Sequence, residues 1–126
     1  MSKILIVDDE KDVLLMLTKR LVAEGYTVIT ADNGRDAITL AESRSPDIII
    51  LDVMMPDMDG GEVAGKLRDN PKTKNIPVMF LTAMISKTEE HQKNHVIAGN
   101  ITFAKPIDTV ELLSYIEKIL SNSTVS

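Results

Sequence analysis

The sequence predicts a single α/β domain, doubly wound about a parallel sheet. Three observations carry this expectation. Short apolar runs with no polar alternation stand at residues 4–7, 48–51 and 78–81, the pattern of strands buried on both faces. Segments of helical period separate them, so strand and helix patterns alternate along the chain. The first two runs end in carboxylates, Asp8-Asp9 and Asp52. A charge at the end of a buried strand is costly unless cations or donors meet it there.

At 126 residues the chain is long enough for one sizeable core. Hydrophobic content of 44% and charged content of 26% fit a globular chain, and 3% aromatics means the core is aliphatic. A net charge of −5 with no Lys/Arg cluster argues against binding a nucleic-acid backbone. Cysteine is absent, which excludes disulfides and thiolate metal sites. No apolar run is long enough for a membrane span, and Met1-Ser2-Lys3 leads straight into a strand pattern without a signal peptide. A cytoplasmic location is the expectation.

Residues 3–7 (KILIV) form the first strand. Residues 10–23 take a helical period, with Val13, Leu17 and Leu21 on one face and Leu14 beside them. Acidic residues at its start and Lys19-Arg20 near its end suit the helix dipole, and Gly25 stops it. Residues 26–31 alternate as a strand with one partly exposed face, and Asp32-Asn33-Gly34 turns into a helix ending near Ser43. The central strand lies between Pro46 and Pro56 and closes on Asp52; a helix over 60–69 then turns Val63, Ala64 and Leu67 inward. Residues 77–82 give a fourth strand, 86–98 a polar and weakly periodic helix closed by Gly99, and 101–104 a fifth strand. Asp108, with Glu111 three residues on, begins the last helix as a capping box. Its apolar residues are Val110, Leu112, Leu113, Ile116, Ile119 and Leu120. The domain is assigned to residues 1–121, with 122–126 a frayed tail.

Five such βα units, joined by right-handed crossovers, make a flavodoxin-like (βα)5 sandwich with a five-stranded parallel sheet in the order 2-1-3-4-5. Ligands on these sheets bind at the carboxyl ends of the strands, at the topological switch point. Here that point lies between strands one and three, the strands that end in Asp8-Asp9 and Asp52. Converging carboxylates repel one another unless one is protonated or a divalent cation sits among them. Hard oxygen ligands with room for water suit Mg²⁺. Thr82 ends the fourth strand and Lys105 follows the fifth, adding a hydroxyl and an ammonium at the same rim. Together these groups describe a phosphoryl site in which one carboxylate is the nucleophile and becomes an acyl phosphate. Taken singly, each has a plainer explanation: an acidic helix start, a turn, β-propensity, a solvated loop lysine. Their joint placement on four strand ends favours the site.

Over essentially its whole length the chain resembles a response-regulator receiver domain of two-component signalling, of the chemotaxis-regulator kind. ILIVDDE at 4–10, DIIILDVMMPDMDG at 47–60, PVMFLTA at 77–83 and FAKP at 103–106 match the family pattern in order and spacing. The resemblance implies that Asp52 is the phosphoacceptor, loaded from a phosphohistidine of a sensor histidine kinase or phosphotransfer protein. It implies Asp9 as principal acidic Mg²⁺ ligand, Asp8 acting mainly through water, and the main-chain carbonyl of Met54 completing the set with Asp52. Thr82 becomes the switch hydroxyl, Lys105 the partner of the phosphoryl oxygens, Phe103 the aromatic switch residue, and the Lys105-Pro106 bond is expected to be cis. Phosphorylation would draw Thr82 in and let Phe103 fill the space it leaves. Phe103 departs from the Tyr frequent in the family and has no hydroxyl.

The residues two beyond the phosphoacceptor and two beyond the switch hydroxyl are Met54 and Met84; neither orients a hydrolytic water, so slow dephosphorylation is expected. The module is expected to be no enzyme beyond its own phosphoryl transfer, and its downstream protein or output domain is not written in the sequence. A haloacid-dehalogenase-like phosphatase would need a second Asp where Met54 stands. A flavin-binding module would need a neutral first loop in place of Asp8-Asp9-Glu10. A pseudo-receiver would not need Asp9, Asp52, Thr82 and Lys105 together. His91 and His95 are read as part of a solvated helix face, since Gln92 stands where a zinc protease needs Glu. The chain is read as a stand-alone regulator in preference to the receiver of a longer protein.

Overall fold

The computed structural model describes residues 2–83, 96–97 and 100–125. In chain order its elements are β1 (Lys3–Val7), α1 (Lys11–Ala23), β2 (Thr27–Ala31), α2 (Gly34–Arg44), β3 (Ile48–Asp52), α3 (Gly60–Arg68), β4 (Val78–Thr82), β5 (Val96–Ile97), β6 (Asn100–Ala104) and α4 (Thr109–Val125). The sheet order is β2-β1-β3-β4-β6-β5. Its parallel part, β2-β1-β3-β4-β6, is the five-stranded arrangement expected from the sequence.

Two elements differ from expectation. The helix expected over 86–98 lies outside the described residues except at its end, where Val96–Ile97 is a strand antiparallel to β6. Both residues are β-branched, and pairing with Ile101 and Asn100 satisfies a preference that a helix would not. The tail also differs. Helix α4 runs on through Val125, and residues 121–125 contain no Gly or Pro to end it.

Helix starts follow local chemistry. The Asn33 side chain accepts the Asp36 N–H, Asp59 accepts that of Glu62, and Asp108 Oδ1 accepts those of Val110 and Glu111. Helix α1 is different, because its N-cap residue Glu10 makes no side-chain cap. Its end is closed by Gly25 at φ 95°, in the left-handed region that glycine adopts freely.

Each sheet face carries its own core. Leu5, Val7, Ile49, Leu51 and Phe80 pack with Ala37 and Ala41 of α2 and Val63, Ala64 and Leu67 of α3. On the opposite face Ile4, Ile6, Ile48, Ile50, Met79, Leu81 and Phe103 pack with Leu17 and Leu21 of α1 and Leu112 and Ile116 of α4. Burial of each Val, Leu, Ile, Met or Phe side chain among them contributes roughly 1.5–3 kcal/mol. Strand β3, buried along its full length, is the centre of both layers.

The register of the second face points at the functional end of the sheet. Ile4 pairs with Ile48 and Ile6 with Ile50, so Asp8 falls beside Asp52 one step further along. Asp52 pairs with Leu81, Leu81 with Phe103, and Lys105 follows two residues on. Backbone bonds from Asp8 N–H to the Ala31 carbonyl (3.1 Å) and from Lys105 N–H to the Thr82 carbonyl (2.9 Å) prolong the pairing past the strand ends.

The loop after β3 is closed by Gly60, whose N–H donates to the Val53 carbonyl at 2.9 Å. A Cβ there would stand 2.8 Å from the Asp52 carbonyl oxygen and 2.8 Å from Val53 Cα, both backbone atoms that cannot step aside. Gly60→Ala is therefore expected to lower unfolding free energy by about 1–3 kcal/mol, as overpacking does. Urea denaturation at constant m-value checks it, and a change below a few tenths of a kcal/mol would show that the loop yields.

Candidate functional site

Asp52, Asp8 and Lys105 meet where the second core face runs out into the loops. Asp52 is 2% exposed and Asp8 fully buried. Lys105 Nζ lies 2.9 Å from Asp8 Oδ2, 2.7 Å from Glu10 Oε1 and 3.3 Å from Asp52 Oδ2. The other Asp52 oxygen, Oδ1, accepts the Met54 N–H at 3.0 Å. Asp8 Oδ1 accepts the Glu10 N–H at 2.9 Å, while its buried Oδ2 has the Lys105 ammonium as its ion-pair partner.

One ammonium faces three carboxylates, and the imbalance is felt at Asp52. Burial pushes its pKa up to about 6; the Met54 N–H opposes this, the Asp8 charge adds to it and Lys105 draws it back. For Lys105, burial favours the neutral amine, but the contacts with Glu10 and Asp8 and the Asp52 charge outweigh it. They hold the ammonium well above the usual lysine range.

Oxygens of Asp8, Glu10 and Asp52 lie within 4.8 Å of one another and can hold a metal ion. The donor set is all hard oxygen, and two of its three carboxylates, Asp8 and Asp52, are buried with a single ammonium to offset them. Both features fit a divalent ion such as Mg²⁺.

The structure distributes the sequence-derived residues unevenly. Asp8, Asp52 and Lys105 are brought together. Asp9, expected as the principal acidic ligand, is exposed and lies outside this group, because strand alternation gives the Asp52-facing position to Asp8. Glu10, read from sequence only as part of the helix start, takes a place at the rim. A faint signal was available, since Glu is a poor N-cap and a Glu at that position is free for other work. Met54 contributes its N–H to Asp52, and its side chain is 54% exposed beside the site. Met84, His91 and His95 lie outside the described residues.

The aromatic switch assignment is corrected. Thr82 is buried at the end of β4 and pairs with Ala104, so its side chain shares a sheet face with Thr102 and Ala104. Phe103 is on the opposite face, fully buried and edge-on to Tyr115 at 5.3 Å and 87°. It would have to cross the sheet to fill a space left by Thr82. Thr102, whose hydroxyl donates to the Asn100 carbonyl at 3.1 Å, is the residue on the Thr82 side. The Lys105-Pro106 bond is cis.

Comparison with known proteins gives a consistent picture. Residues 4–117 match the response regulator receiver domain family. The chain is 41% identical over 118 residues to the response regulator PleD of Caulobacter vibrioides, covering 94% of this chain and 26% of that protein. It is 32% identical over 121 residues to the protein PilH of Pseudomonas aeruginosa, covering 96% and 99%. Among solved structures, the chemotaxis response regulator CheY4 of Vibrio cholerae superposes with a TM-score of 0.79 at 33% identity, covering 94% of this chain and 98% of that one. The chain thus spans about a quarter of the length of PleD and nearly all of PilH.

The raised pKa of Asp52 sets a pH dependence. Its folded value of about 6 exceeds the ordinary 3.8, so its contribution to stability is complete below pH 4 and is lost as pH rises through 6. In the presence of a chelator, Asp52→Asn is expected to raise Tm at pH 8 by about 5 °C, with the difference vanishing near pH 4. Thermal melts of both proteins across this range check it. A destabilised variant at pH 8 would mean that the three carboxylates do not strain the site.

Proposed function

The chain belongs to the response regulator receiver domain family, and on that premise we propose that it is a phosphoacceptor module of a two-component phosphorelay, loaded at Asp52. One observation carries the reading: a buried carboxylate at the end of the central strand, met by Lys105 and flanked by Asp8 and Glu10. An Asp52 carboxylate oxygen attacks the phosphorus of a phosphohistidine on a sensor kinase or phosphotransfer protein. A P–O bond forms, the P–N bond breaks, and the imidazole leaves with a proton. The Met54 N–H orients the carboxylate through Oδ1, and Lys105 offsets the developing charge. Asp8, Asp52 and Glu10 would hold Mg²⁺, which when bound neutralises the phosphoryl oxygens.

The product carries about −1.5 to −2 charges and three acceptor oxygens where one carboxylate stood. Thr82, buried at the end of the neighbouring strand β4, would be the hydroxyl that answers that change. Its shift would be transmitted through the Lys105 N–H that its carbonyl accepts, and so to β6 and α4. The module is a regulated switch with no substrate of its own beyond the phosphoryl group. Its output lies in a downstream protein or a further domain, as the partial coverage of PleD allows. Among the described residues no helix is long and apolar enough to cross a membrane, and we assign the module to the cytoplasm.

Intact-mass measurement after incubation with Mg²⁺ and a small acyl phosphate tests the reading. One phosphoryl adduct is expected, absent from Asp52→Ala and absent without Mg²⁺. Failure under conditions that load another receiver would favour a module acting by constitutive binding. Lifetime is the second readout. Met54, two residues beyond Asp52, is apolar and exposed, and we read its side chain as standing in place of a water-orienting group, so Met54→Asn is expected to shorten the life of the adduct about threefold to tenfold. Equal decay of the two adducts would remove Met54 from the control of hydrolysis.

A further inference from the structure

Glu10 behaves unlike the other helix-start residues. Asn33, Asp59 and Asp108 each turn a side-chain oxygen onto N–H groups of their own helices, whereas Glu10 caps nothing. Its carboxylate reaches Lys105 Nζ at 2.7 Å, the shortest of the three carboxylate contacts of that ammonium and one that spans 95 residues of sequence. The Glu10 N–H is fixed in turn by Asp8 Oδ1. The Glu10 side chain is 60% exposed, against 0% for Asp8 and 3% for Asp52. Lys105 therefore bridges two buried carboxylates and one at the solvent rim.

Resting on the phosphoacceptor reading, we propose that Glu10 is a positioning residue that engages the Lys105 ammonium by its shortest contact and so opposes a phosphoryl group on Asp52. A phosphoryl group at Asp52 needs the ammonium for its own oxygens. Glu10 competes for that ammonium, and its own charge repels the incoming anion. Toward a divalent cation the same carboxylate acts in the opposite sense. It adds negative charge at the mouth and shares the ammonium that Asp8 and Asp52, whose oxygens a cation requires, would otherwise hold alone. Loss of the Glu10 charge should therefore weaken cation binding and strengthen anion binding at one site. A structural defect would weaken both.

Glu10→Gln keeps the size of the side chain and removes its charge. Two calorimetric titrations of the full chain read the effect: Mg²⁺ alone, then beryllofluoride, an acyl-phosphate mimic, at saturating Mg²⁺. The expected result is beryllofluoride binding about threefold tighter than in the wild type, the scale of a partly exposed ion pair, with Mg²⁺ binding about twofold to threefold weaker. Beryllofluoride affinity that is unchanged or weakened in the variant overturns the inference, and so does tightening of both ligands. If the wild type binds no beryllofluoride, the phosphoacceptor reading falls and the inference with it. If the wild type binds it and the variant matches, only the role of Glu10 is lost.

Discussion

The ion pairing of Lys105 with Asp8 and Asp52 is the contact on which the functional end of this sheet depends. A carboxylate at the end of a strand buried on both faces has lost its water, and two of them side by side repel. Lys105 answers both at 2.9 and 3.3 Å from a strand that is not even adjacent to β3. The compensation is incomplete. Burial, with the Asp8 charge beside it, leaves Asp52 pushed up to about 6, and three carboxylates face one ammonium, so the site holds a surplus of negative charge. That surplus is what a hard divalent cation would relieve, and the site is arranged to gain by binding one.

The fold serves this contact through register. A single sheet face runs from the aliphatic core of Ile4, Ile6, Ile48, Ile50, Met79, Leu81 and Phe103 directly into Asp8, Asp52 and Lys105. The same alternation that buries the apolar residues therefore aims the charged ones. A slip of one residue in any strand would move its site residue to the other face. Close packing of β3 between two helical layers makes such a slip costly, because every side chain of the strand is buried. Core and site are stabilised by one set of constraints.

Much of this was legible in the sequence. The order of strands and helices, the cap at Asp108, and the convergence of Asp8, Asp52, Thr82 and Lys105 on one end of the sheet all follow from local pattern and the topology of alternating βα units. Val96–Ile97 escaped because periodicity over a polar segment is weak and a two-residue strand is defined only by its partner. The end of α4 escaped because Ser and Asn favour caps without enforcing them.

By itself the sequence determined the fold class, the strand ends that carry charge and the chemistry such charges imply, because periodicity and residue type act locally. Tertiary structure alone decided which neighbour in each pair faces the site. It put Asp8 inside and Asp9 in solvent, gave Glu10 to Lys105 instead of to its own helix, and set Phe103 across the sheet from Thr82. Each of these turns on register between strands far apart in sequence. A one-residue step along a strand reverses the direction of a side chain, and nothing local in the chain records which step the pairing will choose.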